Sequence, residues 1–282
     1  TMTTDFKTKR AVFAALKLIA CVFVGAIMLY PFWWMLTGTF KTAKEIIQIP
    51  PTFFPHEFTF ENIKYVFESA DVVGKMYINS FVVAISVPLL QTLVCLPAAY
   101  AFAKLRFPGK NVIFMFFMGA LMLPGQLTMI TNYSTIIKLN LINKLTGVIL
   151  LGIFSAFAIF MMRQFIAGLP REVDDAAKMD GCGFWGTFLR IGLPLSMPIV
   201  SVNLILCFNA AWGDFFTPML ILRKLEKMTL SLGMTVIQGA YGTQSRAVMV
   251  AMLTMSIIPV IAVFFIFRDK LIAGIATSGL KL

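Results

Sequence analysis

Between residues 170 and 194 the chain reads PREVDDAAKMDGCGFWGTFLRIGLP, a charged and amphipathic stretch that separates two long apolar segments. Pro170 suits the first turn of a helix, because the N–H group that proline lacks has no partner there. Asp180-Gly181 is typical of a tight turn that ends such a helix. A second apolar face at helical spacing begins at Phe184. So much apolar surface in a water-exposed stretch indicates that another protein covers it.

The composition indicates an integral membrane protein. Of 282 residues, 59% are hydrophobic and only 13% are charged, and the mean hydropathy is +0.86. Soluble domains carry about 25% charged residues. A spanning helix needs about 20 mostly apolar residues, and backbone satisfaction in lipid demands helices in segments of this length. The sequence therefore predicts an all-α membrane protein with six transmembrane helices, at residues 11–36, 76–103, 111–130, 145–167, 195–222 and 246–267.

Basic residues predict the orientation of the chain. An even number of spans places both termini on one side, and more than half of the Lys and Arg residues fall there, as expected for cytoplasmic termini. The clearest case is the short turn 104–110, which has three cations and no acid. The net charge of +11 is therefore attributed to topology and to contact with membrane lipid, and no nucleic-acid partner is expected.

Two regions are expected along the chain. Residues 1–75 hold the first transmembrane helix, retained rather than cleaved as a signal peptide, and an extracytoplasmic segment with a short helix from Glu61 to Asp71. Residues 76–282 form a core with a cytoplasmic loop at 170–194 and a cytoplasmic tail at 268–282.

Proline and glycine interrupt two of the predicted spans, at Pro88, Pro97 and Pro124-Gly125. Each interruption frees backbone groups that must be buried in protein or face a water-filled cavity. Kinked packing explains any single proline, but interruptions in consecutive helices favour a bundle that lines a cavity over a plain membrane anchor.

The stretch that opens this section resembles the cytoplasmic signature of ATP-binding-cassette importer permeases, which reads Glu-Ala-Ala, three residues, Gly, and an apolar stretch ending near Leu-Pro. Here it reads Asp175-Ala176-Ala177, three residues, Gly181, and later Leu193-Pro194. Asp175 stands where glutamate is usual, so the carboxylate is kept on a shorter arm. Further matches to the carbohydrate-importer permease core, most closely the maltose-type subunit with six helices, lie at Asn79-Ser80, 98–101, 106–109, 163–165 and 212–218.

The resemblance implies a type I importer permease fold with both termini cytoplasmic. It implies a complex with a second, related permease subunit, two ATPase subunits and an extracytoplasmic solute-binding protein, which together move a saccharide inward by alternating access. The residues that it assigns to contact with the ATPase subunits are Glu172, Asp175, Ala176, Ala177, Asp180 and Gly181. Gly279 and Lys281 in the tail are expected to approach the ATPase interface through an extended backbone, although a frayed terminus is an equal alternative.

No chemistry of catalysis is expected in this chain. It contains no Gly-x-x-x-x-Gly-Lys-[Ser/Thr] motif, so ATP and Mg are expected on the partner ATPase subunits. Four scattered cysteines and a single histidine, His56, give no metal site and no disulfide framework. Because no His, Cys or carboxylate cluster lies at membrane depth, a membrane-embedded enzyme is disfavoured.

Sparse polar residues inside the spans are candidates for the substrate path. They are Gln126, Asn209, Trp212 and Asp214, since amide and aromatic groups suit sugars and intramembrane polar groups tend to face a bundle interior. Contact between helices is the alternative for each. Cationic residues between 223 and 246 leave an anionic saccharide open. An ion-gradient-driven secondary transporter is the alternative function, but it needs ionisable groups in mid-span, and only Asp214 approaches that description.

Overall fold

The structure, a computed structural model, describes residues 2–68, 70–240 and 245–279. Helices make up nearly all the regular structure in these ranges, and no strand is found in them. The predicted all-α class is confirmed. In chain order the α-helices are α1 (Met2–Gly38), α2 (Ala43–Ile46), α3 (Glu61–Glu68), α4 (Ala70–Lys104), α5 (Lys110–Leu121), α6 (Met129–Lys138), α7 (Leu145–Gly152), α8 (Ala156–Ala167), α9 (Arg171–Met179), α10 (Phe184–Thr187), α11 (Leu193–Gly213), α12 (Phe216–Ile221), α13 (Leu230–Ala240) and α14 (Ser245–Gly279).

Within the described ranges, four helical stretches are long and apolar enough to cross a membrane, at Phe13–Gly38, Asp71–Lys104, Phe184–Gly213 and Arg246–Arg268. A fifth span is formed if α7 and α8, which are bent by 42° at a short break, are counted together. Helix α5, at the predicted third span, is a shorter apolar helix. Four of the six predicted segments therefore contain a membrane-length helix, a fifth contains the bent pair α7 and α8, and the sixth span remains a prediction.

The predicted third span, 111–130, was drawn too long. Its helix ends at Leu121, after which Met122 and Leu123 donate to carbonyls three residues back and a 3-10 turn follows at Gly125–Thr128. Pro124 explains the end, because proline has no N–H to donate and disfavours helical geometry in the residue before it.

Two further boundaries differ from the predictions. The helical stretch that corresponds to the predicted fifth span, 195–222, begins earlier, at Phe184, and includes a π-helical turn at Phe188–Gly192. It also ends earlier, at Gly213, because Asp214 takes an extended conformation. An extended backbone was expected in the tail at Gly279 and Lys281, but α14 continues to Gly279. The helix formers Leu271, Ala273 and Ala276 lie around Gly274 and offset its cost of about 1 kcal/mol.

The chain divides into two compact units. The first comprises Thr1–Ala70 and Val236–Ile257, and the second comprises Asp71–Thr235 and Ile258–Leu282. In the second unit one apolar cluster joins the end of α4 to α8 and to the π-helical turn through Tyr100, Ile159 and Phe188. Another joins α4 to α6 and α12, through Val83, Ile136 and Ile221.

In the first unit, residues 39–62 are held by hydrogen bonds among polar groups of Lys41, Glu45, Thr52, His56 and Asn62, which we call the 39–62 network; Lys41, Glu45 and Asn62 are buried. Lys41 is 1% exposed, and its Nζ donates to the carbonyl of Thr52 at 2.5 Å. Oε1 of Glu45 accepts from the Thr52 hydroxyl at 2.6 Å and from the backbone N–H of His56 at 3.0 Å. Asn62 donates to the carbonyls of Thr39 and Lys41, at 3.0 and 2.7 Å.

Burial and hydrogen bonding oppose each other at Glu45. Burial acts to raise the pKa of the Glu45 carboxyl, but the hydrogen bonds from Thr52 and His56 and the charges of His56 and Lys41 lower the pKa below its ordinary value overall. Burial lowers the pKa of Lys41, and the nearby Glu45 charge opposes that shift. The network is therefore built around a carboxylate that is stabilised in its charged form.

Candidate functional site

Helix α9 lies within the predicted 170–194 segment and begins directly after Pro170. Glu172 and Asp174 lie in its first turn, where their charges oppose the positive end of the helix dipole. The helix ends at Met179, and the backbone reverses at Gly181, whose φ is +80°. The structure thus contains the predicted helix and the predicted turn.

The predicted coupling residues do not all share one face of α9. Glu172, Asp175, Ala176, Asp180 and Gly181 are exposed, as is Met179 at 89%. Ala177 is only 3% exposed and packs against the chain itself. Any contact that α9 makes with another subunit is therefore made by the other residues.

Asp174 occupies the buried face of α9, where it meets the end of α4. Lys104 Nζ lies 2.7 Å from Oδ2 of Asp174, and the hydroxyl of Tyr100 donates to Oδ1 at 3.0 Å. The side chains of Lys104 and Asp174 are 9% and 12% exposed. We call Tyr100, Lys104 and Asp174 the Asp174 cluster. Such a shielded ion pair interacts more strongly than a surface pair.

Lys104 also binds the chain immediately before α9. Its Nζ donates to the carbonyls of Leu169 and Pro170, at 2.9 and 3.3 Å. These carbonyls use two of the three N–H donors of the ammonium group, and its contact with Oδ2 of Asp174 is an ion pair. Because Tyr100 and Lys104 are four residues apart, they lie on the same face of α4.

The second half of the 170–194 segment packs aromatic rings around Tyr100. The ring of Phe188 lies edge-on at 5.1 Å from that of Tyr100, and Phe184 lies at 6.0 Å. Gly192 in the π-helical turn is required by close approach, since a Cβ there would lie 2.6 Å from Cε2 of Tyr100. The segment therefore fixes the Tyr100 ring as well as its hydroxyl.

An open cavity of about 530 Å³ lies beside the Asp174 cluster. Charges of both signs line it, from Lys104, Arg106, Asp174 and Asp175. Asp174, Tyr100 and Lys104 were not among the predicted site residues. Helical spacing contains the missing signal, because Asp174 lies three residues before the buried Ala177 and so on the same face of α9.

The candidate path residues are dispersed. Asp214 lines a second cavity of about 370 Å³, together with Gln91, Ser155 and Thr217. This cavity lies where α7 and α8 break and where α11 ends. Asn209 is exposed. Trp212 is 6% exposed and packs in an aromatic cluster with Phe81 and Phe208.

The remaining predicted residues are only partly described. Gln126 falls in the 3-10 turn Gly125–Thr128, and its side chain lies outside the described part of the chain. Gly279 is the last residue of α14, and Lys281 lies outside the described residues. The two tail contacts therefore remain predictions.

The sequence model of the family described as "Binding-protein-dependent transport system inner membrane component" matches residues 70–276. The chain belongs to this family. It is similar to the arabinooligosaccharides transport system permease protein AraQ of Halalkalibacterium halodurans, with 32% identity over 93% of this chain and 95% of that protein. The protein of the same name from Bacillus subtilis is 30% identical, over 92% of each chain.

The fold is shared with a solved transporter subunit. A chain in the crystal structure of a bacterial ABC transporter involved in the import of the acidic polysaccharide alginate superposes with a TM-score of 0.78 and 23% identity, over 92% of this chain and 96% of that one. The predicted importer permease fold is confirmed. As a member of the binding-protein-dependent inner membrane components, the chain is a multi-pass membrane component of a transport system that works with partner subunits.

Proposed function

We propose that this subunit moves a saccharide inward by alternating access, driven by two separate ATPase subunits that dock on residues 170–194. The observation that carries the proposal is α9, a short helix with an exposed acidic side and an opposite side fixed to the end of α4. A short amphipathic helix of this kind suits a groove on a partner. Closure of two ATPase subunits around such helices can then rotate the attached spans.

In this proposal six spans place both termini and the 170–194 segment in the cytoplasm of a bacterial or archaeal cell. The cation-rich turn 104–110 supports that side. Lys104 of this turn contacts Leu169 and Pro170, so the turn and the 170–194 segment lie at the same membrane face. In this proposal ATP with Mg is the energy source. Both are bound by the ATPase subunits, because this sequence has no P-loop.

A saccharide is supported by the named transport roles of the two AraQ relatives and by the 370 Å³ cavity. Gln91 is fixed there by a hydrogen bond from its Nε2 to the carbonyl of Gly152 at 3.0 Å. Asp214 accepts from the backbone N–H of Thr217 at 3.2 Å. Amide, hydroxyl and carboxylate groups at broken helices are suited to binding sugar hydroxyls. Asp214 is therefore the path candidate that the geometry favours.

The proposed complex also contains a second, related permease and an extracytoplasmic solute-binding protein. The exposed apolar side chains of Phe13–Gly38 suit contact with membrane lipid or with that second permease. Gly279 and Lys281 are proposed to approach the ATPase interface. These partners and contacts are more specific than the family membership itself.

Site-specific crosslinking tests the docking surface directly. In a background with Cys21→Ser and Cys182→Ser, thiol-reactive photocrosslinkers of several lengths attached at Met179→Cys, an 89% exposed position, are expected to capture an ATPase subunit in native membranes. Ala177→Cys on the same helix is the matched control, because that position is 3% exposed. Failure of Met179→Cys to capture an ATPase subunit at any crosslinker length would overturn the docking proposal.

Transport in vesicles separates the proposed energy source from the ion-gradient alternative. Uptake of a radiolabelled arabinose trisaccharide by the reconstituted complex with its solute-binding protein is expected to require ATP and to survive an ionophore. Uptake that continues without ATP and stops with the ionophore would support the secondary transporter instead.

A further inference from the structure

The Asp174 cluster links two helices that are far apart in sequence. The side chains of its ion pair, Lys104 and Asp174, are only 9% and 12% exposed. Both carboxylate oxygens of Asp174 are held, one by the Tyr100 hydroxyl and the other by the Lys104 ammonium. We infer that this cluster makes α9 and the last turns of α4 move as one body, so that a displacement imposed on α9 is passed to the span Asp71–Lys104. The inference rests on the proposed docking of ATPase subunits on α9.

The chemistry of the cluster resists a hinge at this point. Separating Lys104 from Asp174 breaks an ion pair whose side chains are only 9% and 12% exposed, which is unfavourable, although the open cavity beside the pair lets water reach both charges. The same movement would take Lys104 away from the carbonyls of Leu169 and Pro170. Three contacts of one ammonium group would therefore break together, and the interface is expected to stay closed while the helices move.

The covalent connections of α9 cannot replace this link. After α9 the chain turns at Gly181, whose positive φ is not helical. On the other side a three-residue connection, 168–170, separates α9 from α8. Without the cluster, α9 can tilt about both ends and absorb a push from a partner.

Tyr100, Lys104 and Asp174 are positioning residues in this inference, because they act through the helices that they join. They differ from the exposed residues of α9, which are proposed to meet the ATPase subunits. Loss of the cluster should therefore leave docking intact and loosen only the connection between α9 and α4.

Distances between spin labels in the assembled complex test this connection. Labels are placed at Met179→Cys on α9 and at Leu93→Cys on α4, positions that are 89% and 70% exposed. The background carries Cys21→Ser and Cys182→Ser, since the other two cysteines are buried. Double electron–electron resonance is recorded in lipid nanodiscs without nucleotide and with ATP plus orthovanadate.

With the cluster intact, one narrow distance distribution is expected in both states. Lys104→Met, which keeps the length of the side chain but removes its charge, is expected to broaden the distribution at least twofold with ATP plus orthovanadate. Arg106→Met is the matched control, because Arg106 is an exposed cation two residues further on, and its distribution should stay narrow. A Lys104→Met distribution as narrow as that of the control would overturn the inference.

Co-purification separates failure of this inference from failure of the proposed function. If the ATPase subunits do not co-purify with the unsubstituted chain, the proposed docking fails. If they co-purify with the unsubstituted chain but not with Lys104→Met, the cluster is needed for docking itself and the inference is wrong. Tyr100→Phe removes a single hydrogen bond and should broaden the distance distribution less than Lys104→Met does, with docking retained. If only Lys104→Met broadens the distribution, the link is made by the ion pair alone.

Discussion

The 39–62 network and the Asp174 cluster are both buried and polar, yet they connect parts of the chain at very different separations. In the first, every bond joins groups within 23 residues, and four of the five bonds have one backbone partner. In the second, the Tyr100 and Asp174 side chains are 74 residues apart. The first therefore fixes the shape of one segment, whereas the second joins two helices that are distant in sequence. Substitutions should therefore have local effects in the first and transmitted effects in the second.

The largest effect is expected from Asn62→Ala. Asn62 is 2% exposed and is the donor to the carbonyls of Thr39 and Lys41. A buried group that loses its partner costs about 1–3 kcal/mol, so local stability should fall by about 2–6 kcal/mol. Hydrogen exchange should accelerate in peptides covering 39–62 and stay unchanged in those covering α9.

Asn111→Ala is the control for this variant, because Asn111 is exposed and should leave exchange unchanged throughout. The contrary result is that Asn62→Ala accelerates hydrogen exchange in α9 as much as in 39–62. In that case the network would not be local.

Gly192→Ala is expected to have the next largest effect. The new Cβ would lie 2.6 Å from the Tyr100 ring, and overpacking of this kind typically costs about 1–3 kcal/mol. Because the ring must move, its hydrogen bond to Asp174 should weaken, and exchange should accelerate in α9. Gly186→Ala provides the contrast, since its Cβ would meet Cys182 at an ordinary 3.6 Å. Equal exchange in the two variants would show that Tyr100 does not position α9.

Periodicity and motif spacing predicted much of the fold. Apolar length located most of the spans, and the Pro170 and Asp180-Gly181 signals located α9 and its turn. The failures have physical causes. Pro124 ended a helix that apolar composition alone continued, and the tail stayed helical because its apolar residues outweigh its glycines.

The candidate site was predicted less completely than the fold. The motif identified the exposed residues of α9, but Asp174 gains its role from Lys104 and Tyr100, and a pairing across some 70 residues cannot be read from local spacing. Trp212 shows the same limit, because its burial beside Phe208 depends on how helices pack and not on its residue type.

A smaller effect is expected from acid, which should change the stability of the 39–62 network. The pKa of Glu45 is lowered in the folded chain, so the stabilisation from its carboxylate is present above the ordinary glutamate pKa of about 4.3. It is lost as the pH falls through the lower, folded pKa. Protection against hydrogen exchange in 39–62 should therefore decrease between about pH 4.3 and more acidic values.

Glu45→Gln removes the titrating group and is expected to abolish this pH dependence while lowering protection at neutral pH. Peptides covering α9 report whether the acid effect is local. A pH profile that is the same with and without Glu45 would assign the titration to other carboxylates.

The smallest effect is expected at Gly181, where a turn is held by its backbone conformation and by neither polar network. A Cβ at Gly181 would meet nothing within 4 Å, and the same is true at Gly183, so the two positions differ mainly in backbone geometry. Gly181 has a φ of +80°, whereas Gly183 has a φ of −71°. Ala at a left-handed position costs about 1–2 kcal/mol, so Gly181→Ala should lower the thermal stability of the complex and Gly183→Ala should not. Gly181→Asn should fall between them, because asparagine tolerates left-handed geometry better than alanine. If all three variants unfold at the same temperature, the turn can relax away from its positive φ, and the orientation of α9 is then set by the Asp174 cluster alone.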